Sequence, residues 1–310
     1  MKESGELLHT EVGIGARALL CCERNMPRRG TISIVGAGKL GSALALSLHE
    51  SGFKIHEIIS RGTPASRRVA RSLARKVDAR ATTVDDPKLT AGIVWICVPD
   101  REIAPCARGL AASVRDWKGR VVLHASGALT SDELQVLRRR GAKVASAHPL
   151  MTFVHGAQPT LEGVGFAVEG DRVAVKVVRE IVSHVGGEFF SIAKKHKVAY
   201  HTWATFASPL VTALLAMAEE VAASAGVARA EARRRMMPIL RETLSNYALR
   251  GPAAGFSGAI IRGDAQTIGK HLQALKKIPG AGEVYRALAR AALSNLPAGN
   301  RKVLNRTLRS

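Results

Sequence analysis

Residues 31–41, TISIVGAGKLG, limit what this chain can fold into more than any other stretch. Ile32, Ser33, Ile34 and Val35 read as a strand that runs straight into Gly36-x-Gly38-x-x-Gly41. An apolar helical pattern follows at Leu40, Ala43, Leu44, Leu46 and Leu48. Strand, glycine turn and helix in that order form a dinucleotide-binding unit. Gly36 permits the tight turn, Gly38 lets a pyrophosphate approach the backbone, and Gly41 lets the helix pack close to the strand. The free N–H groups and positive end of that helix then face the phosphates. Cofactor contacts are expected from Gly36, Ala37, Gly38, Lys39, Leu40 and Gly41.

From residue 28 to about 147, strand patterns alternate with helical ones. Strands are predicted at 31–35, 55–60, 81–84, 92–98, 121–124 and 143–146, and helices at 40–50, 64–76, 102–114 and 131–140. This alternation implies an α/β domain, a Rossmann doubly wound parallel sheet. Ile93 to Val98 are apolar on both faces, as a central parallel strand should be. A strand at 164–168, a helix at 171–185 and a strand at 188–192 are read as extending the sheet. Beyond 193 every periodic stretch is helical: 197–225, 229–250, 264–278 and 282–295, with a frayed basic tail from Asn300. The domains expected are therefore a Rossmann domain over 28–192 and an all-helical substrate and dimerisation domain over 193–310. Residues 1–27 fit neither pattern and are read as an extension, with Met26 as an alternative start before the basic turn Pro27-Arg28-Arg29-Gly30.

The second predicted strand ends at Ser60-Arg61, where an NAD-binding unit places Asp or Glu for the ribose hydroxyls. No acid stands there, and Arg61 can meet a 2′-phosphate, helped by Ser60, Thr63 and Arg67. NADP is therefore the expected cofactor, with Val98 and Pro99 at the end of the central strand completing its site.

The 310 residues carry a formal charge of +21. The basic residues are scattered over many helices, as at Arg67, Arg68, Arg71 and Arg75 or Arg233 to Arg235, and no nucleic-acid recognition signature accompanies them. Solvated faces that attract anionic small molecules are expected, rather than a nucleic-acid partner. No apolar run reaches the ~18–20 residues needed to cross a bilayer, so no membrane partner is expected. Cys21, Cys22, Cys97 and Cys106 show no metal-ligand spacing. No metal site and a reducing, cytoplasmic location are expected.

The segments VGAGKLGSAL, VWICVPDREI, VVLHASGAL, ASAHPLMTF, KVAYHTWATFAS and GPAAGFSGAIIRGDAQTIGKHL together resemble a bacterial oxidoreductase family. Its members join a Rossmann-like NADP-binding domain to a C-terminal helical domain of unknown function. The wider superfamily holds 6-phosphogluconate dehydrogenase, ketopantoate reductase and pyrroline-carboxylate reductase. The resemblance implies NADP-dependent reduction of a small carbonyl, such as the 2-oxo acid ketopantoate, or of an imine, in the cleft between the domains. The alternative is a non-catalytic NADP-binding regulatory or scaffold protein, which fold alone leaves open. One departure is Pro209, where relatives tend to carry Asn. The long helix is expected either to kink there or to restart with Ser208 as cap and Pro209 in its first turn.

Lys197, His201, Thr205, Ser208 and Thr212 recur at three- or four-residue intervals and form one polar line if the helix is continuous. Related dehydrogenases use a Lys on the equivalent helix, which implies that Lys197 polarises the carbonyl and supplies the proton while His201 orients the substrate. His148 and His124, with Ser126, stand at adjacent strand ends where ligands gather. His148 is a further catalytic candidate, and Ser126, His124 and Ser208 are substrate-binding candidates. Arg262 is read either as a substrate carboxylate clamp or as a partner of Asp264. Broad apolar surface on the C-terminal helices (Leu210 to Met217, Met236 to Leu240, Leu288 to Leu293) predicts a homodimer.

Overall fold

The structure is a computed structural model that describes residues 30–154 and 160–309; the expected extension over 1–27 lies outside the described residues. Eight strands form one sheet: β1 (Ile32–Val35), β2 (Ile55–Ser60), β3 (Arg80–Thr83), β4 (Ile93–Ile96), β5 (Val121–His124), β6 (Lys143–Pro149), β7 (Gly165–Gly170) and β8 (Glu188–Ser191). Their order is β3-β2-β1-β4-β5-β6-β7-β8. The order reverses between β1 and β4, which puts the crevice for a ligand beyond their carboxyl ends. The helices α1 (Lys39–Glu50), α2 (Pro64–Lys76), α3 (Asp100–Ser113), α4 (Gln135–Arg138) and α5 (Arg172–His184) connect the strands.

Alternate strand residues enter opposite apolar layers. Ile34, Trp95 and Leu123 join Leu44, Leu48 and Leu73 on one face. Val35, Val94, Ile96 and Val122 join Ile103, Leu110 and Trp117 on the other. Each such buried aliphatic side chain contributes about 1.5–3 kcal/mol, so the sheet interior is the rigid frame on which its carboxyl-end loops are held.

The sheet is parallel except at one pair. β6 and β7 run antiparallel, with Ala147 opposite Val168. Side-chain alternation is the same in either direction, so the sequence pattern does not encode this reversal.

The chain divides into two units, one through Thr202 and one from Trp203. That division falls beyond the 192/193 boundary read from the sequence, because the first turns of α6 (Lys197–Ala207) bury Lys197 and Tyr200 in the first unit. The second unit contains α7 (Pro209–Ser224), α8 (Arg229–Ala254), α9 (Ala259–Arg262), α10 (Ala265–Leu275), α11 (Ala281–Asn295) and α12 (Arg301–Thr307). Gly251, with φ of +76°, breaks the α8 stretch just before Pro252. The tail is not frayed: Leu304 and Leu308, one turn apart, are buried against Ile268, Leu272 and Leu293.

Of the two alternatives at Pro209 the restart is the one found, and one further expectation needs correction. The helix over 197–225 is interrupted at Ser208 (φ −133°, ψ −77°), where α7 begins with Pro209 as its first residue. Proline has no N–H for the preceding turn, so a restart satisfies its backbone better than a kink. Ser208 occupies the cap position without a side-chain capping bond, and the polar line drawn through it is not one helical face. The correction is that the helical stretch Lys194–Ser224, 31 residues, contains an 18-residue window of mean hydropathy 1.4 and is long and apolar enough to cross a membrane by length and composition. Its Thr, Ser and Trp residues interrupt the aliphatic ones, so no unbroken apolar run marks it in the sequence.

Candidate functional site

The glycine turn behaves as its spacing requires. Gly36 has φ of +99°, and a Cβ there would stand 2.5 Å from the Cys97 carbonyl oxygen. A Cβ on Gly41 would overlap the Gly36 carbonyl. Both glycines are therefore demanded by the protein's own packing. At Gly38 a Cβ would meet nothing within 4 Å. The open space above that backbone is what a close-lying phosphate requires. Gly38 also caps α1 without a side-chain bond, so the first-turn N–H groups are left for an anion.

Above the turn opens a cavity of about 590 Å³ lined by Gly36, Ala37, Gly38, Ser60, Arg61, Val98 and Pro99 among the residues expected from sequence. Lys39, Leu40 and Gly41 do not line it. The cavity adds residues that sequence reasoning did not single out: Ser66, Arg101, Glu102 and Cys106. At its far end Thr63 caps α2, its Oγ1 accepting the Ser66 N–H at 3.3 Å and donating to Ser66 Oγ at 2.9 Å. Arg61 and the two hydroxyls thus share the β2–α2 corner. Asp85, from the loop after β3, comes near Gly62 on the side of Arg67, 3.7 Å from where a Cβ would stand, but it is not part of the cavity wall. Burial, reinforced by Glu102, pushes the Cys106 thiol up to about 12, so it stands there as a neutral apolar group.

A second cluster forms where β5 and β6 end and α6 begins. His124 is fully buried. Its Nδ1 accepts the Ser126 N–H at 3.1 Å, and Nε2 lies 2.9 Å from the Thr130 carbonyl. An acceptor at Nδ1 and a carbonyl at Nε2 fix the neutral Nε2–H form. Burial lowers its pKa to about 4, with Lys197 adding to the shift against the Thr130 bond. Ser126 Oγ accepts the Ala128 and Leu129 N–H groups at 3.2 and 2.9 Å. Both residues expected to bind substrate therefore also hold the 125–130 loop in place.

Lys197 is also fully buried. Its Nζ donates to the Ser126 carbonyl at 2.9 Å and to Ser146 Oγ at 2.5 Å. Burial lowers its pKa to about 8, while Glu169 and Asp100 oppose the shift. Two of the three N–H donors of this buried ammonium are thus taken by Ser126 and Ser146 of the protein itself.

His148 does remain half-exposed beside His201, with ring centroids 5.9 Å apart at an interplanar angle of 82°. Its Nδ1 lies 2.7 Å from the Tyr200 hydroxyl. Burial, then repulsion from His201, Lys197 and His124, lowers the His148 pKa to about 4. Burial raises that of Tyr200 to about 12. Near neutral pH the phenol and the imidazole each hold one proton. One of these forms the internal hydrogen bond. Tyr200, three residues from Lys197 on the same face, was missed because it read as one more aromatic on an apolar helix. Ser208 and Arg262 belong to the second unit. Arg262 is exposed at the end of α9, and Asp264 caps α10 through the Thr267 N–H at 2.9 Å instead of pairing with it.

Comparison with known proteins agrees with this organisation. A Rossmann-like domain model matches residues 22–149, and a domain of unknown function, DUF2520, matches 164–292. No curated protein matches the chain. A Bacteroides fragilis protein provisionally assigned as an NADP oxidoreductase superposes with TM-score 0.72 at 24% identity, over 84% of this chain and 97% of that one. The Thermotoga maritima protein TM1727 gives TM-score 0.64 at 26% identity, over 89% and 98%. A reductive aminase from Aspergillus terreus, solved with NADPH and ethyl-5-oxohexanoate, gives TM-score 0.64 at 14% identity, over 89% and 99%. Models of a Rossmann-like domain and of DUF2520 thus match successive parts of the chain, the pairing expected from its sequence.

Proposed function

We propose that the protein is an NADP-dependent oxidoreductase that reduces a small carbonyl or imine acid, a 2-oxo acid such as ketopantoate among them. The observation that carries this reading is the 590 Å³ cavity over the glycine turn, with Arg61, Thr63 and Ser66 at the corner where an NAD site would carry an acid. The Aspergillus relative holds NADPH together with a carbonyl compound, which supports the same class of chemistry. The chain's residues fit the cofactor: open backbone at Gly38 for the pyrophosphate, unpaired first-turn N–H groups on α1, and a guanidinium for the 2′-phosphate. NADPH, when bound, supplies the hydride. Negative charge left on the substrate oxygen or nitrogen needs a proton. The Tyr200–His148 pair holds one, and His201 beside it orients the acid. The free thiols of Cys97 and Cys106 fit a cytoplasmic enzyme.

The test is NADPH oxidation by purified protein against a panel of 2-oxo acids and cyclic imines. Turnover of at least one member is expected. A protein that binds NADPH and reduces nothing on a broad panel would instead support the regulatory reading.

A homodimer through the second unit belongs to the same proposal. Leu210, Val211, Leu214, Ile239, Leu244, Tyr247 and Leu249 are all exposed on α7 and α8, and large contiguous apolar patches mark interaction surfaces. Light scattering at micromolar concentration should give twice the 33.0 kDa chain mass; a monomer mass would refute this.

A further inference from the structure

The wiring around Lys197 assigns it a different task from proton transfer. Its ammonium and the Ser146 hydroxyl both donate to one carbonyl, that of Ser126, at 2.9 and 3.0 Å. The ammonium also donates to Ser146 Oγ, so the three groups close a triangle. That carbonyl belongs to the Ser126–Gly127 peptide. A Cβ on Gly127 would stand 2.6 Å from His201 Cδ2 and 3.0 Å from His148 Nε2. The backbone of Gly127 is therefore the surface against which both imidazoles rest.

The rest of the loop is held by neutral groups: His124 on the Ser126 N–H, and Ser126 Oγ on the Ala128 and Leu129 N–H groups. Lys197 adds the charge-assisted contact, which is stronger than a neutral one. Opposite charge reaches it from Glu169 on β7 and Asp100 at the start of α3. Glu169 is itself fixed by the Ser131 N–H and hydroxyl at 2.6 and 2.9 Å. A buried cation with two good acceptors and nearby carboxylates stabilises one arrangement of the groups around it, and removing an acceptor leaves it uncompensated.

We propose that Lys197 is a positioning residue that clamps the Ser126–Gly127 peptide through Ser126 O and Ser146 Oγ, seating Gly127 against His148 and His201 and so fixing where those two imidazoles stand. The consequence for turnover rests on the reductase reading; the clamp itself does not. Lys197→Met keeps the length of the side chain and removes its charge and donors, whereas Ser146→Ala removes one acceptor from a site closed to substrate.

Both variants are tested in the full chain. Amide hydrogen exchange at Ala128 and Leu129 should be several-fold faster than in the parent protein. The ¹⁵N signals of His148 and His201 in histidine-labelled protein should move although neither residue is changed. With any 2-oxo acid that the parent reduces, Ser146→Ala should lower kcat several-fold at an unchanged KM for NADPH. Ser146→Ala carries all three readouts if Lys197→Met does not fold. Unaltered exchange together with unaltered histidine signals would overturn the clamp. Absence of turnover in the parent protein would count against the reductase reading, while exchange and histidine signals would still decide the clamp.

Discussion

Replacing His148 by Ala is expected to lower kcat by about 10²-fold or more, the usual loss when a positioned general acid is removed. Tyr200→Phe should fall in the same range, because the 2.7 Å bond between Tyr200 Oη and His148 Nδ1 makes the two one proton-holding unit. The double variant should then lose little more than either single one, as residues that act together are non-additive. NADPH affinity should be unchanged, since neither residue lines the cofactor cavity. With His148 lowered to about 4 and Tyr200 raised to about 12, the pair does not titrate between about pH 5 and 8. Its contribution to kcat should be flat across that window. The measurement is steady-state NADPH consumption from pH 5 to 8 with the best member of the panel. Near-normal kcat in either single variant would remove the pair from the mechanism.

The first unit could be read from sequence almost element by element because its apolar residues keep a period of two in strands and near four in helices. Thus β2 spans Ile55–Ser60 and α2 spans Pro64–Lys76, as the pattern predicts. What the pattern could not carry was direction and partnership. The antiparallel β6–β7 pair shows the same alternation as a parallel one. Leu304 and Leu308 form a short apolar stripe within a basic tail, and only the core they fill reveals α12 as packed. The glycine turn was legible because Gly36 and Gly41 answer to steric demands inside the protein. The polar cluster was less so. A buried Lys and His in sequence require partners, but sequence does not say whether a substrate or the protein provides them. For Lys197, His124 and Ser126 the protein does, through Ser146, Thr130 and the amides of the 125–130 loop. Ser146 looked like one more strand residue, and Tyr200 like one more aromatic on an apolar helix.

The second large effect concerns the cofactor. At the β2–α2 corner a carboxylate would bond the ribose hydroxyls of NAD and repel a 2′-phosphate; Arg61 reverses both preferences. A guanidinium also meets a phosphate bidentately, which an amine does not. Thr63 Oγ1 and Ser66 Oγ lie beside it, already ordered by their mutual bond at 2.9 Å, so little freedom is lost when they turn to an anion. The measurement that decides the central claim is a fluorescence titration of the purified protein, and of its Arg61→Ala variant, with NADPH and with NADH. The expected result is that the parent binds NADPH at least tenfold more tightly than NADH, about 1.4 kcal/mol, and that Arg61→Ala erases the preference while NADH affinity barely changes. Equal affinities for the two cofactors in the parent protein, or a preference that survives Arg61→Ala, would contradict it.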